Sequence, residues 1–115
     1  MKGGFVIFGR VGGTLAVSRS FGDRLFKVPF SKTSADLVSV EPYTRTVQLR
    51  DAVEYLIVAC DGLWDTLTYQ EAIDLFVRQH KAGKSPQEIA IALVDAALKA
   101  GSLDNVTCIA VLLKK

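Results

Sequence analysis

Histidine and tryptophan each occur once in this chain of 115 residues and cysteine twice, and no apolar stretch is long. Each scarcity narrows the field. A membrane helix needs about 20 consecutive apolar residues, and here even the most apolar helical segment is broken by Asp95 and Lys99, so the chain reads as soluble, with no membrane partner. The opening "MKGGFVIFGR" carries a single Lys and too short an apolar run for a signal peptide, which argues against export. Fourteen Lys and Arg stand against 12 Asp and Glu, for a net charge of +2. No basic run exceeds Lys114 and Lys115, so there is no electrostatic case for nucleic acid. Cys60 and Cys108 each sit in an apolar, strand-like run and read as reduced, buried thiols; the expected compartment is the cytoplasm, with the nucleus also open. The lone His80, beside Lys81 at the end of a helical segment, reads as solvated. Repeats, low-complexity tracts and linkers are missing as well, so residues 1–115 read as a single block, and with half the residues apolar there is material for one core and not two.

What is present reads as several strands, two helices and a last strand. Phe5 to Phe8 and Thr14 to Ser18 are β-prone on either side of a "GRVGG" turn and suggest a hairpin. Phe21 to Ala35 has no sustained period and reads as a surface loop. Leu37 to Val40 and Thr44 to Leu49 are further β-like runs, and Tyr55 to Cys60 is continuously apolar, as in a strand covered on both faces. Thr68 and Glu71 have capping-box spacing ahead of an amphipathic segment that stops near Gly83. Ser85, Pro86 and Glu88 repeat that signal before Ile89, Leu93 and Ala97, and Gly101 supplies a stop. Val106 to Leu113 closes the chain as an apolar strand. The fold class that fits is α+β, two C-terminal helices packed on mostly antiparallel strands.

The stretch "ACDGLWD", Ala59 to Asp65, is where chemistry concentrates. Aspartate is rarely buried without a partner, and Asp61 closes one apolar strand while Asp104 stands just before another. If those strands are antiparallel neighbours, both carboxylates emerge at one edge of the sheet. Close carboxylates repel unless a proton or cation intervenes, and oxygen donors with no nearby His or Cys favour Mg²⁺ or Mn²⁺. Asp65 could join from the turn. The competing reading is structural: "DG" and "DN" are ordinary turn dipeptides, and Asp65 could cap a helix. Spacing alone leaves both open. Gly62 reads as supplying a backbone angle that other residues avoid, and Trp64 as a core anchor. Arg10 and Arg19 read as structural, pairing with a carboxylate such as Asp23, rather than as anion binders.

In order and spacing, "RVGGTLAVSRSFGD", "VSVEP", "YLIVACDGLWD" and "GSLDNVTCIAV" resemble the C-terminal part of the metal-dependent serine/threonine protein phosphatases of the 2C type. The resemblance covers nearly the whole chain. It implies an αββα fold, a β-sandwich flanked by helices; metal-ligating roles for Asp61 and Asp104, with Asp65 supporting an additional metal; and Mg²⁺ or Mn²⁺, two ions in the complete domain, activating a water that attacks phosphoserine or phosphothreonine in a protein substrate.

The family's N-terminal "DGHGG" and "ED" motifs and its phosphate-anchoring arginine are absent from this sequence. The resemblance therefore implies about the latter half of the domain, weak or absent metal binding and little activity in this chain by itself, and self-association through uncovered apolar faces. The alternative is a non-catalytic interaction or regulatory module that keeps the scaffold.

Overall fold

The computed structural model describes residues 3–49 and 53–113. The chain divides into two compact units, Met1–Val47 and Gln48–Lys115. Together the described residues form short antiparallel strands and helices, an α+β fold.

The first unit is built from turns. Strands β1 (Val6–Ile7) and β2 (Arg10–Val11) pair antiparallel around Phe8 and Gly9, whose φ angles are 51° and 71°. Positive φ at both central residues is the requirement of the tight hairpin turn whose twist matches the strands. The reversal therefore falls at Phe8 and Gly9, at the start of the expected "GRVGG" turn and not across it, and Arg10 and Val11 are strand. Gly12 and Gly13, at φ 59° and 73°, turn the chain again so that Val11 bridges Leu15. Thr14 to Ser18 forms no strand of its own. The loop over Phe21 to Ala35 is as expected apart from a single 3₁₀ turn at Arg24–Phe26. Of the run Leu37 to Val40, only a parallel bridge between Arg19 and Ser39 is realised, and Thr44 to Leu49 has no regular structure. Arg10 and Arg19 are structural as expected, but among the described residues they donate to the backbone carbonyls of Thr14 (2.8 Å) and Glu41 (2.7 Å), not to carboxylates.

The second unit has a core. Strands β3 (Tyr55–Ala59) and β4 (Cys108–Leu112) pair antiparallel from Tyr55↔Leu112 to Ala59↔Cys108. Three helices follow β3: α1 (Asp61–Trp64), α2 (Tyr69–Lys81) and α3 (Pro86–Lys99). Both long helices start with a complete capping box, Thr68 with Glu71 and Ser85 with Glu88, as their sequences predict. Ala72 and Phe76 recur at i, i+4, and so do Ile89, Leu93 and Ala97, which puts each set on one stripe. With Leu63 of α1 they form the fully buried cluster. The inward residues of the sheet, Tyr55, Ile57, Ala59, Cys108, Ala110 and Leu112, pack against it.

Within this unit, among the described residues, the sheet is covered on one face only. Leu56, Val58 and Ile109 are about half exposed, so the apolar run Tyr55 to Cys60 is not buried on both sides as expected. An uninterrupted apolar run shows that the outer face is apolar, not that this unit covers it. His80 also differs from expectation: it is half-buried, its ring edge-on to Tyr55 at 5.6 Å.

Candidate functional site

The strand β3 ends at Ala59, and the next residues turn directly into α1. Cys60, extended at φ −79° and ψ 175°, is the cap, and Asp61 is the first helical residue rather than the end of the strand. Asp65 closes this single turn, its N–H donating to the Asp61 carbonyl at 2.8 Å. Trp64 anchors it: the indole Nε1–H donates to the Ala59 carbonyl at 3.0 Å and the ring meets Tyr69 edge-on at 5.2 Å. Opposite, β4 begins only at Cys108, so Asp104 lies in the loop that leads into it.

The antiparallel pairing expected of these two strands is present, and it brings the Asp61 turn and the Asp104 loop to the same edge of the sheet. The approach is close. A Cβ on Gly62 would run into the Asn105 carbonyl oxygen, so glycine is required here by the facing backbone and not, as the sequence suggests, by its own φ. Ser102 Oγ donates to the Gly62 carbonyl at 2.6 Å. The Cys60 thiol donates to the Asn105 carbonyl and accepts from the Thr107 N–H, both at 3.2 Å. Neither contact is foreshadowed in the sequence, where Ser102 looks like the residue after a helix stop and Cys60 like a small hydrophobe.

Asp61, Asp65 and Asp104 are all exposed. Asp61 Oδ1 accepts from the Gly62 N–H at 3.1 Å and Asp104 Oδ1 from the Asn105 N–H at 2.7 Å. Among the described residues no hydrogen bond reaches the second oxygen of either. Cys60 and Cys108 are free thiols, and burial together with the neighbouring Cys60 pushes the Cys108 thiol up from its ordinary value.

Oxygen donors held at one edge, with an oxygen of each to spare, suit a hard cation in kind. They do not close a shell: among the described residues no three His, Cys, Asp or Glu side chains come together as a metal cage would require. The fold brings the Asp61 turn and the Asp104 loop to one edge, and Asp65 closes the turn that Asp61 opens.

Comparison with known proteins fits this geometry. The profile of the family described as Protein phosphatase 2C matches residues 1–106. The chain is 42% identical over 111 residues to "Protein spalten" of Dictyostelium discoideum, covering 96% of this chain and 11% of that protein. It is 44% identical over 110 residues to "Protein phosphatase 2C homolog 1" of Schizosaccharomyces pombe, covering 95% of this chain and 28% of that protein. A solved structure titled "Structure of a C.elegans sex determining protein" superposes with a TM-score of 0.75 at 30% identity, over 98% of this chain and 27% of that one. The chain belongs to the protein phosphatase 2C family. It spans well under half the length of these relatives. The family is generally dependent on Mg²⁺ or Mn²⁺ and acts on phosphoproteins.

Proposed function

We propose that this chain supplies the Asp61–Asp104 edge of a protein phosphatase 2C site, and that a domain of the relatives' length carrying it removes phosphate from phosphoserine and phosphothreonine in proteins. Asp61 and Asp104 would hold Mg²⁺ or Mn²⁺, with Asp65 supporting a further ion. The metal would lower the pKa of a bound water and so supply the nucleophile. The role of the chain's own residues is to present two carboxylates from segments far apart in sequence. The observation that carries this reading is the antiparallel β3–β4 pairing, with Gly62 pressed on the backbone of Asn105. For the 115-residue chain by itself we propose little or no turnover, since the donors it offers do not close a shell.

The test is a chimera in which this sequence replaces the matching segment of the S. pombe relative, assayed on a phosphothreonine peptide with Mn²⁺. Asp61→Asn or Asp104→Asn is expected to cost more than the roughly 10–100-fold lost when a group that merely orients a metal ligand is removed. Near-normal activity in both variants would favour the turn-forming reading, because Asn replaces Asp well in turns.

A second reading has an observation of its own. The open outer face of the β3–β4 sheet, with Leu56, Val58 and Ile109 about half exposed, suits a non-catalytic module that associates with a protein partner or a second copy. Sedimentation of the 115-residue chain as a monomer at micromolar concentration would count against self-association.

A further inference from the structure

Beyond Ala59 and Cys108 the sheet ladder of the second unit has run out, yet the candidate carboxylates lie beyond it, at Asp61 and Asp104. One backbone bond continues the ladder, from the Cys60 N–H to the Thr107 carbonyl at 3.2 Å. Past that point two like charges lie on segments that no sheet pairing restrains, and mutual repulsion favours their separation. Two side chains oppose it. Cys60 reaches across to both the Asn105 carbonyl and the Thr107 N–H, and Ser102 reaches back across 40 residues to the Gly62 carbonyl at 2.6 Å. The side-chain-free face of Gly62 lets the two backbones close between these bonds.

We infer that Cys60 and Ser102 are positioning residues: they clamp the Asp104 loop onto the Asp61 turn and so hold the two carboxylates at one corner of the sheet. This rests on the reading of Asp61 and Asp104 as metal ligands. The clamp does not need sulfur as such. Cys60 uses its thiol as both donor and acceptor, and a serine hydroxyl offers the same pair of functions. A cysteine present only as a small hydrophobe would be replaced better by alanine than by serine. The two roles thus predict opposite orders of tolerance.

The experiment follows backbone amides of the 115-residue chain by NMR, first metal-free and then during a Mn²⁺ titration read as line broadening at Asp61, Gly62, Asp104 and Asn105. Cys60→Ala and Ser102→Ala are expected to weaken the Mn²⁺ response about tenfold, as loss of a ligand-orienting group does. They should also speed hydrogen exchange at the Thr107 amide, while Phe76 in α2 keeps its protection. Cys60→Ser and Ser102→Thr should restore both. Unchanged Mn²⁺ response and Thr107 exchange in the alanine variants would overturn the clamp, and so would a Cys60→Ser variant that fares worse than Cys60→Ala. If an alanine variant loses α2 protection, Cys60→Ser decides: a wild-type response supports the clamp and a weakened one overturns it. Asp61→Asn and Asp104→Asn separate the two claims. If Mn²⁺ broadening survives both, the metal reading fails; if the wild-type chain, whose donors do not close a shell, shows none at millimolar Mn²⁺, the metal reading is decided by the same two variants in the chimera. The clamp is then judged by Thr107 exchange alone, where about tenfold acceleration supports it and no change overturns it.

Discussion

The unit Met1–Val47 and the unit Gln48–Lys115 are built on different principles. The first has two-residue strands, a succession of glycines at positive φ and, among its described residues, one fully buried hydrophobic, Val38; Phe5, Val6, Phe8, Phe21 and Leu25 are largely exposed. The second has two capped helices locked on a sheet through six fully buried residues. Order in the first unit depends on single turns and on backbone bonds such as Ser39 N–H to the Ser18 carbonyl at 3.0 Å. In the second it depends on side chains excluded from water. All three candidate carboxylates belong to the second unit, where a rigid core can hold them in place.

The largest expected effect tests that contrast directly. Phe76→Ala should cost about 3–5 kcal/mol, the range for emptying a large aromatic site in a packed core, and should shift urea unfolding monitored by Trp64, which packs against the same core. Val38→Ala removes less buried surface, and its cost is expected nearer about 2 kcal/mol, read as faster exchange of the Ser39 amide. Equal costs at the two sites would show that the first unit is stabilised by burial as much as the second.

A smaller effect sharpens the helical side. Thr68→Ala and Ser85→Ala each remove a cap whose hydroxyl accepts the N–H of Glu71 (3.2 Å) or Glu88 (3.3 Å). Each is expected to cost about 1 kcal/mol in the Trp64-monitored transition. The two sites share no partner, so the double variant should be additive to within about 0.5 kcal/mol. A double variant no worse than either single one would mean that packing, not capping, sets where these helices begin.

The same contrast decides what is legible in the sequence. Thr68, Glu71, Ser85, Pro86 and Glu88 determine their own helix starts within three residues, and both starts fall where they are expected. The two apolar runs flanking the helices read as strands, but their antiparallel pairing, and with it the shared edge for Asp61 and Asp104, stands in the sequence only as a condition that the fold meets. The hairpin turn is not legible because Phe8 adopts a positive φ that bulky residues rarely take, whereas composition points to the glycines further on. Coverage of one sheet face was not legible, since an apolar outer residue reads the same whether or not something packs on it. The roles of Cys60 and Ser102 are illegible for a related reason. Their partners lie 40 or more residues away, and such contacts are created by the fold without any local pattern to announce them.

The finest probe of the helical unit is acid. Glu88 Oε2 accepts from the Ser85 N–H and from Ser85 Oγ, each at 2.9 Å, while Oε1 meets Lys84 Nζ at 2.9 Å. The Ser85 backbone bond first, then Lys84 and the Ser85 hydroxyl, pull its pKa from the ordinary 4.5 to about 2. Glu71 is lowered in the same direction, chiefly by the Thr68 side chain. A carboxylate with a depressed folded-state pKa binds its proton more readily in the unfolded chain. Its contribution is therefore complete above about 4.5 and is lost as the pH falls towards about 2. The effect should be modest, because the Lys84–Glu88 pair is about half exposed (48% and 50%) and water screens it. Glu88→Gln is expected to lower the thermal midpoint near neutral pH and to flatten its decline in that acid window. Added salt should shrink the contribution of the Lys84 pair and leave most of the Ser85 part, because those bonds are short and local. An acid decline equally steep in Glu88→Gln would assign the acid sensitivity to other carboxylates and leave the capping box with a purely neutral role.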